Sequence, residues 1–283
     1  MERLYKWQTD NKMKFNGKKF QVLRYGNNKE LKENTLYFTE NTESIIEEFT
    51  ELRDLGIILS NDAKFSKHVD KVANTVRQKT GWILRTFRTR QTIILKQLWK
   101  SLLQPHIDYC SQLYKPGQAQ EMLKIEKLFY DYTSKIPEIR DKNYWERLSH
   151  LKVLSQERRM ERYRIISIWK ILQGLAPNCG VELAPGSERL GRRCAVPPLL
   201  PQGRAAVQSL RESSFQINGP RLFNILPKKI REMKTSQEDF KEALDLFLMT
   251  IPDQPRMGGL APAATDQTTG HQSNSLLAWA TMF

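Results

Sequence analysis

The acidic residues are the ones whose chemistry could act on a phosphate ester, and their spacing argues against that role. Two-metal phosphoryl or nucleotidyl transfer needs carboxylates that converge on two cations about 4 Å apart. The chain has no Asp-Asp dipeptide, and its adjacent acids, as at Glu47-Glu48, fall on surfaces that we interpret as solvated. Asp54 and Asp108 stand alone in apolar surroundings, which is typical of caps or hydrogen-bonded structural acids. We therefore expect no catalytic residue in this chain.

The chain also has few Cys and His residues at the spacings that metal sites require. The three cysteines, Cys110, Cys179 and Cys194, form no CxxC pair, and an odd number at irregular spacing predicts no disulfide framework. This usage favours a reducing, intracellular compartment, either nucleus or cytoplasm. His106 precedes Cys110 by four residues, but two ligands do not make a zinc site, so we interpret them as a packed structural pair. The sequence predicts no metal site and no cofactor in this chain.

The net charge indicates a binding partner more clearly than the candidate catalytic and metal-binding residues indicate a reaction. The chain carries a net charge of +14 with a pI of about 9.7, which favours a polyanionic partner such as nucleic acid. No apolar run approaches the length of a membrane span, so no membrane partner is expected. Ten basic residues and one acid, Asp70, lie between positions 63 and 100. The ten are Lys64, Lys67, Lys71, Arg77, Lys79, Arg85, Arg88, Arg90, Lys96 and Lys100.

Five of these cations are our candidate phosphate contacts: Lys67, Lys71, Arg85, Arg88 and Arg90. Two readings without nucleic acid stay open. The positions could form an ordinary solvated helix face, or the chain could be a helical protein–protein interaction module whose basic surface is incidental.

Helical periodicity supplies the element that would position them. From Phe65, apolar residues recur at helical spacing as far as Phe87, and most of the basic residues fall away from this stripe. We predict that Trp82 and Trp99 belong to the core, with stacking on bases as the alternative. A second helix is predicted from Thr92 to Leu103, broken near Pro105.

The rest of the chain is predicted to be helical with one irregular stretch. Helices are expected at 118–132, 144–148, 155–172 and 236–249, and Gly219-Pro220 is expected to start a short one. Residues 174–213 read as a basic connector rich in Pro and Gly, and the tail after Pro252 as disordered. Before residue 60, alternation predicts short strands, including Leu36–Phe38 and Leu55–Leu59.

Several segments, in order, resemble the reverse transcriptases of non-LTR retrotransposons of the jockey and CR1-like group. LYKWQTDNKMKFNGKKFQVLRYG is similar to the segment that follows the catalytic aspartates, and RDLGIILSNDAKFSKHV to the primer-grip hairpin that runs into the thumb. LLQPHIDYCSQLY resembles the family's Pro-x-x-x-Tyr helix end, with Tyr114 where Trp is usual. YWERLSHLKVLSQERRMERYRIISIWKILQGL resembles the region beyond the thumb, and so does SFQINGPRLFNILPKKIREMKTSQEDFKEALDLFLMTIPDQP.

The resemblance implies a mainly α fold with a small α+β N-terminal part. A thumb-like helical bundle would follow a truncated palm remnant. The tail after Pro255 does not resemble the family, and its composition alone predicts disorder. The expected divisions are a palm-end and primer-grip remnant (1–60), a thumb-like domain (61–173), the connector (174–213), a small helical extension (214–252) and the tail (253–283).

The resemblance also implies functional residues and partners. Lys18 and Lys19 would lie near the incoming nucleotide, Leu55 and Gly56 at the primer grip, and the basic helix against RNA or an RNA–DNA hybrid. The family's catalytic aspartates would precede Met1, so Mg²⁺ is expected only for the full-length parent enzyme. A further alternative is an active polymerase completed by another polypeptide.

Overall fold

Helices make up most of the chain, and the named strands all lie before residue 61. The structure is a computed structural model that describes residues 2–16, 19–26, 45–198, 205–255, 257 and 274–281. It forms two compact units, residues 1–68 and residues 69–283. The predicted class, mainly α with a small α+β N-terminal part, is confirmed.

Within its described residues, the first unit contains a short N-terminal helix and two small pairs of strands. Helix α1 (Glu2–Asp10) precedes β1 (Val22–Leu23), which pairs in parallel with β2 (Glu48–Phe49). Strands β3 (Glu51–Asp54) and β4 (Ile57–Ser60) form an antiparallel hairpin in which Asp54 pairs with Ile57. The predicted strand at Leu36–Phe38 lies outside the described residues.

A two-residue turn joins β3 to β4. Leu55 has φ +43° and Gly56 has φ +91°, and two left-handed residues in succession are the signature of the type I′ turn. This turn matches the right-handed twist of the flanking strands. The predicted strand from Leu55 to Leu59 is therefore corrected: Leu55 belongs to the turn, and the strand begins at Ile57.

The second unit is helical throughout its named elements. Helix α2 (Ser66–Thr86) is the longest, and a π-helical turn (Trp99–Leu103) lies between α3 and α4. In chain order the others are α3 (Thr92–Leu98), α4 (Gln104–Asp108), α5 (Ser111–Tyr114), α6 (Ala119–Thr133), α7 (Tyr144–Leu151), α8 (Gln156–Leu172), α9 (Ser187–Leu190), α10 (Ala205–Ser213), α11 (Phe215–Ile225), α12 (Lys228–Arg231), α13 (Gln237–Met249) and α14 (Leu276–Ala280). The π turn accommodates Pro105 at the start of α4, where a missing N–H costs little.

An aromatic cluster lies at the centre of the helices around α3 and α6. Trp99 is 3% exposed, and its ring lies 4.6 Å from the Phe129 ring and 5.0 Å from the Tyr132 ring, centroid to centroid. The hydroxyl of Tyr132 donates to the Leu95 carbonyl at 2.8 Å, so this buried polar group is satisfied. The prediction that Trp99 is a core residue is confirmed.

A second cluster forms around α8. Trp169 stacks on Phe240 of α13 with ring centroids 4.6 Å apart, and Gly219 of α11 brings that helix close to Ile168. The extension predicted at 214–252 thus shares a hydrophobic core with α8.

Three expectations for the C-terminal half need correction. Pro220 lies inside α11, which begins at Phe215, because burial of Gly219 and Pro220 against α8 outweighs their helix-breaking tendency. Part of the predicted irregular connector is helical, as α9 and α10. Residues 274–281 of the predicted disordered tail are ordered, since Leu276 of α14 is buried; positions 258–273 lie outside the described residues.

Candidate nucleic-acid interface

The outer face of α2 carries the first group of candidate contacts. Its buried stripe includes Val69, Val76 and Ile83, so residues on the opposite side point outward. Lys67 near the start of α2 is exposed, with 61% of its side chain accessible, and Arg85 near the end of α2 is also exposed. This face is where the periodicity predicted it.

The charges on this face are mostly uncompensated. Lys71, Arg85 and Arg88 form no ion pair with any residue that the structure describes. Lys67 contacts the carboxylate of Glu51, an exposed pair that contributes little to stability and can exchange for a phosphate. Asp70, the one acid of α2, is paired with Lys124 of α6. The face is therefore positive in spite of its two nearby carboxylates.

Arg90 differs from the other four candidates. Its Nη2 donates to the Leu84 carbonyl at 2.8 Å, and its Nη1 donates to the carbonyls of Thr89, at 2.9 Å, and Phe87. These are carbonyls that the end of α2 and the following loop leave without helical partners. A phosphate contact from Arg90 would compete with these bonds, and its assignment stays a prediction.

Lys96 of the basic segment also turns inward. Its Nζ donates to the Leu151 carbonyl, and burial, followed by the neighbouring charges of Lys100 and Lys152, lowers the pKa of its ammonium group. It was not among the five candidates, and this geometry gives no reason to add it.

The remaining candidates belong to the first unit. Lys19 is exposed, and Lys18 lies outside the described residues. Leu55, 84% exposed, and Gly56 form the tip of the β3–β4 hairpin. The hairpin tip thus presents a leucine to solvent, and its contact with a primer stays a prediction.

Trp82 is more exposed than its place near the apolar stripe predicted. Its side chain is 51% exposed on the outer face of α2, so the prediction that it belongs to the core is wrong. The signal was available: Trp82 immediately precedes the buried Ile83, and one residue is 100° of helical rotation. Its ring meets Phe87 edge to face, with centroids 6.4 Å apart.

Many arginines outside this segment are structural. Arg164 is buried, with Nε donating to the Gln112 carbonyl at 3.0 Å and Nη1 donating to the Ser213 carbonyl and the Asn218 side chain, both at 2.9 Å. Burial lowers the pKa of Arg164 to about 10, a shift opposed by the charge of Glu161. Net charge therefore overstates the positive surface, and the exposed cations of α2 gain weight as candidates.

Asp108 is a hydrogen-bonded structural acid, as its apolar surroundings in the sequence predicted. Its carboxylate accepts both Nε and Nη2 of Arg159, at 2.9 and 2.6 Å, and the Tyr163 hydroxyl at 3.0 Å. This fork joins α4 to α8. The part of the chain that the structure describes contains no group of three or more His, Cys, Asp or Glu residues placed to hold a metal. Nor does it contain a helix long and apolar enough to cross a bilayer.

Comparison with known proteins adds one relative. An uncharacterized protein of Caenorhabditis elegans is 23% identical over 123 residues, which are 42% of this chain and 60% of that protein. The chain thus spans less than two thirds of that relative's length. No family model matches the chain, and no solved structure matches it.

Proposed function

We propose that this chain is the part of a non-LTR retrotransposon reverse transcriptase that follows the catalytic aspartates, and that it binds RNA or an RNA–DNA hybrid without polymerising. The segments that resemble this family occur in the family's order. The observation that carries the binding function is the largely unpaired set of cations on α2 and the loop after it, of which Lys67, Arg85 and Arg88 are exposed and Lys71 is half-buried.

The physical basis is phosphate neutralisation. Lysine and arginine side chains that approach a nucleic-acid backbone release condensed counterions, which gives affinity without sequence preference. The affinity then falls steeply with salt, by a slope that counts the phosphates contacted. The proposal therefore predicts how steeply the affinity falls as the salt concentration rises.

The test compares the wild type with a Lys67→Ala, Lys71→Ala, Arg85→Ala, Arg88→Ala variant. Affinity for an RNA–DNA hybrid is measured by filter binding across a salt series. Loss of four phosphate contacts should reduce the slope of log affinity against log salt by about three. Circular dichroism checks that the variant keeps the helicity of the wild type.

A matched control removes the same charge elsewhere. Lys135, Lys142, Lys229 and Lys234 are exposed and lie outside α2. Their replacement by Ala should leave the slope nearly unchanged, because non-contacting cations release no counterions. Equal losses in both variants would show that only net charge matters, and absence of wild-type binding at low salt would refute the proposal.

A helical protein-interaction module is the second candidate. It is favoured by Ile93 of α3, which is 76% exposed beside the basic segment. It becomes the better account if the chain binds no nucleic acid at low salt. Primer extension with the purified chain tests whether it polymerises alone: we expect no product, and a product that depends on Mg²⁺ would contradict the expected absence of catalytic residues.

A further inference from the structure

Trp82 occupies an unusual position for a large aromatic side chain. It is 51% exposed on the face of α2 that points away from the buried stripe. Residues three and four positions away are its neighbours on the helix surface, and these include Lys79 on one side and Arg85 on the other, both exposed. An apolar ring surface is thus flanked by cations.

Local contacts limit where the Trp82 ring and the Arg85 side chain can lie. Phe87 meets the indole at an interplanar angle of 90°, which limits the positions that the ring can take. The Arg85 guanidinium reaches back along the helix, because its Nη1 would lie 3.4 Å from a Cβ built on Gly81. The guanidinium therefore lies beside Gly81, the residue that precedes Trp82.

The cations beside Trp82 favour a nucleic-acid strand over an apolar protein surface as the partner of this face. An apolar protein surface that covered Trp82 would also desolvate Lys79 and Arg85, and neither forms an ion pair with a described residue. A nucleic-acid strand offers both complements: a π face for the indole and phosphates for the cations. A double helix offers only the phosphates, since its bases are already stacked.

We propose that Trp82 stacks on an unpaired base of a single-stranded nucleic acid, with Lys79 and Arg85 contacting the phosphates that flank it. This inference rests on the proposed function and adds to backbone binding one contact that only strands with accessible bases can make. The outer face of α2 then distinguishes single strands from duplexes, which its cations alone do not.

The test measures binding of the whole chain to an oligothymidylate of about twelve nucleotides and to a duplex of similar length. The variants are Trp82→Ala, Trp82→Phe and Trp7→Ala. Trp7 is a matched control because it is 48% exposed on α1, a different helix. Fluorescence anisotropy gives the affinities, and circular dichroism checks folding.

Trp82→Ala should weaken binding of the single strand by about tenfold to a hundredfold, the range for losing one base–aromatic stack. It should leave the duplex affinity and both salt slopes unchanged, since no charge is removed. Trp82→Phe should recover part of the loss, and Trp7→Ala should behave as the wild type.

The outcomes separate this inference from the function on which it rests. If wild type binds both ligands and Trp82→Ala changes neither, the stacking inference fails and the phosphate-binding proposal stands. Equal losses on both ligands would also overturn stacking. If wild type binds neither ligand at low salt, both proposals fail. A wild type that self-associates in sedimentation while Trp82→Ala does not would assign the ring to a protein contact instead.

Discussion

Lys124 Nζ lies 2.7 Å from Asp70 Oδ1, so the single carboxylate of α2 is held by an ammonium group of α6. Both side chains are about half exposed, and a pair of this kind contributes at most about 1 kcal/mol to folding. Its effect is electrostatic instead. It neutralises the one acid of α2, so the outer face keeps a positive potential.

Replacing either partner should therefore change nucleic-acid affinity in opposite directions. We expect Asp70→Asn to strengthen hybrid binding by about twofold to fivefold at low salt, and Lys124→Gln to weaken it by a similar factor. Both effects should shrink as salt screens the charges. Binding isotherms at two salt concentrations measure this, and a shift in the same direction for both variants would contradict it.

Arg90 and Arg88 should differ in how much each side chain contributes to the stability of the fold. Arg90→Ala removes bonds from a charged donor to the carbonyls of Leu84, Phe87 and Thr89, and should lower the free energy of unfolding by about 1.5–3 kcal/mol. Arg88→Ala removes an exposed side chain and should change it by less than about 0.5 kcal/mol. Urea denaturation measures both. Equal stability of the two variants would show that the Arg90 bonds are not retained in solution.

Two glycines inside helices should respond oppositely to alanine. A Cβ on Gly219 would lie 2.9 Å from Ile168 Cδ1, and Ile168 is fully buried, so Gly219→Ala should destabilise by about 1–3 kcal/mol. A Cβ on Gly81 would meet only Arg85 Nη1 at 3.4 Å, so Gly81→Ala should stabilise by about 0.5–1 kcal/mol. Thermal melts of the two variants should move apart; a gain for Gly219→Ala would indicate that α11 and α8 pack less closely than described.

Glu126 should make stability depend on pH. Glu126 is a residue of α6 that is buried against the start of α8. There its carboxylate accepts the backbone amides of Gln156 and Glu157 at 2.9 and 3.2 Å. Burial raises the pKa of its carboxyl from 4.5 to about 8, against the opposing bond from Tyr144, with a further upward contribution from Asp253. The folded chain therefore holds this proton more tightly than the unfolded chain does. The resulting stability is complete below about pH 4.5 and is lost as pH rises through about 8.

A charge-free replacement tests that dependence. We expect Glu126→Gln to have a smaller difference in unfolding free energy between about pH 5 and about pH 8.5 than wild type has. Glu242→Gln is the control, because Glu242 is exposed on α13 and should leave the difference unchanged. An unchanged difference for Glu126→Gln would mean that other groups carry the pH dependence.

Local signals in the sequence predicted most helices of the second unit. Ser155 was expected to open a helix, and its side chain does accept the Arg158 amide at the start of α8. Ser236 caps α13 in the same way through the Asp239 amide. Such helix starts can be predicted from the sequence because the capping side chain and the amide that it accepts are only three residues apart.

Signals that depend on distant partners were not predictable. Pro220 reads as a helix start, yet it lies inside α11 because burial against α8 decides the matter. The basic residues of α8 resemble those of α2 in composition. However, Arg162 pairs with Asp245, 83 positions away, whereas Arg85 pairs with no described residue. One sequence cannot show which arginine has a partner, so the composition of a basic segment did not reveal which cations are exposed.

The end of the described chain carries a consequence for biosynthesis. Arg158 Nη2 donates to the carbonyl of Asn274, 116 positions later, and Glu161 accepts the Leu276 amide at 3.0 Å. Helix α8 therefore cannot acquire all its partners while the ribosome is still translating the intervening residues. Its buried arginine and glutamate lack these partners until residues 274–276 have been synthesised, and a nascent chain stalled before that point exposes them to chaperones and proteases.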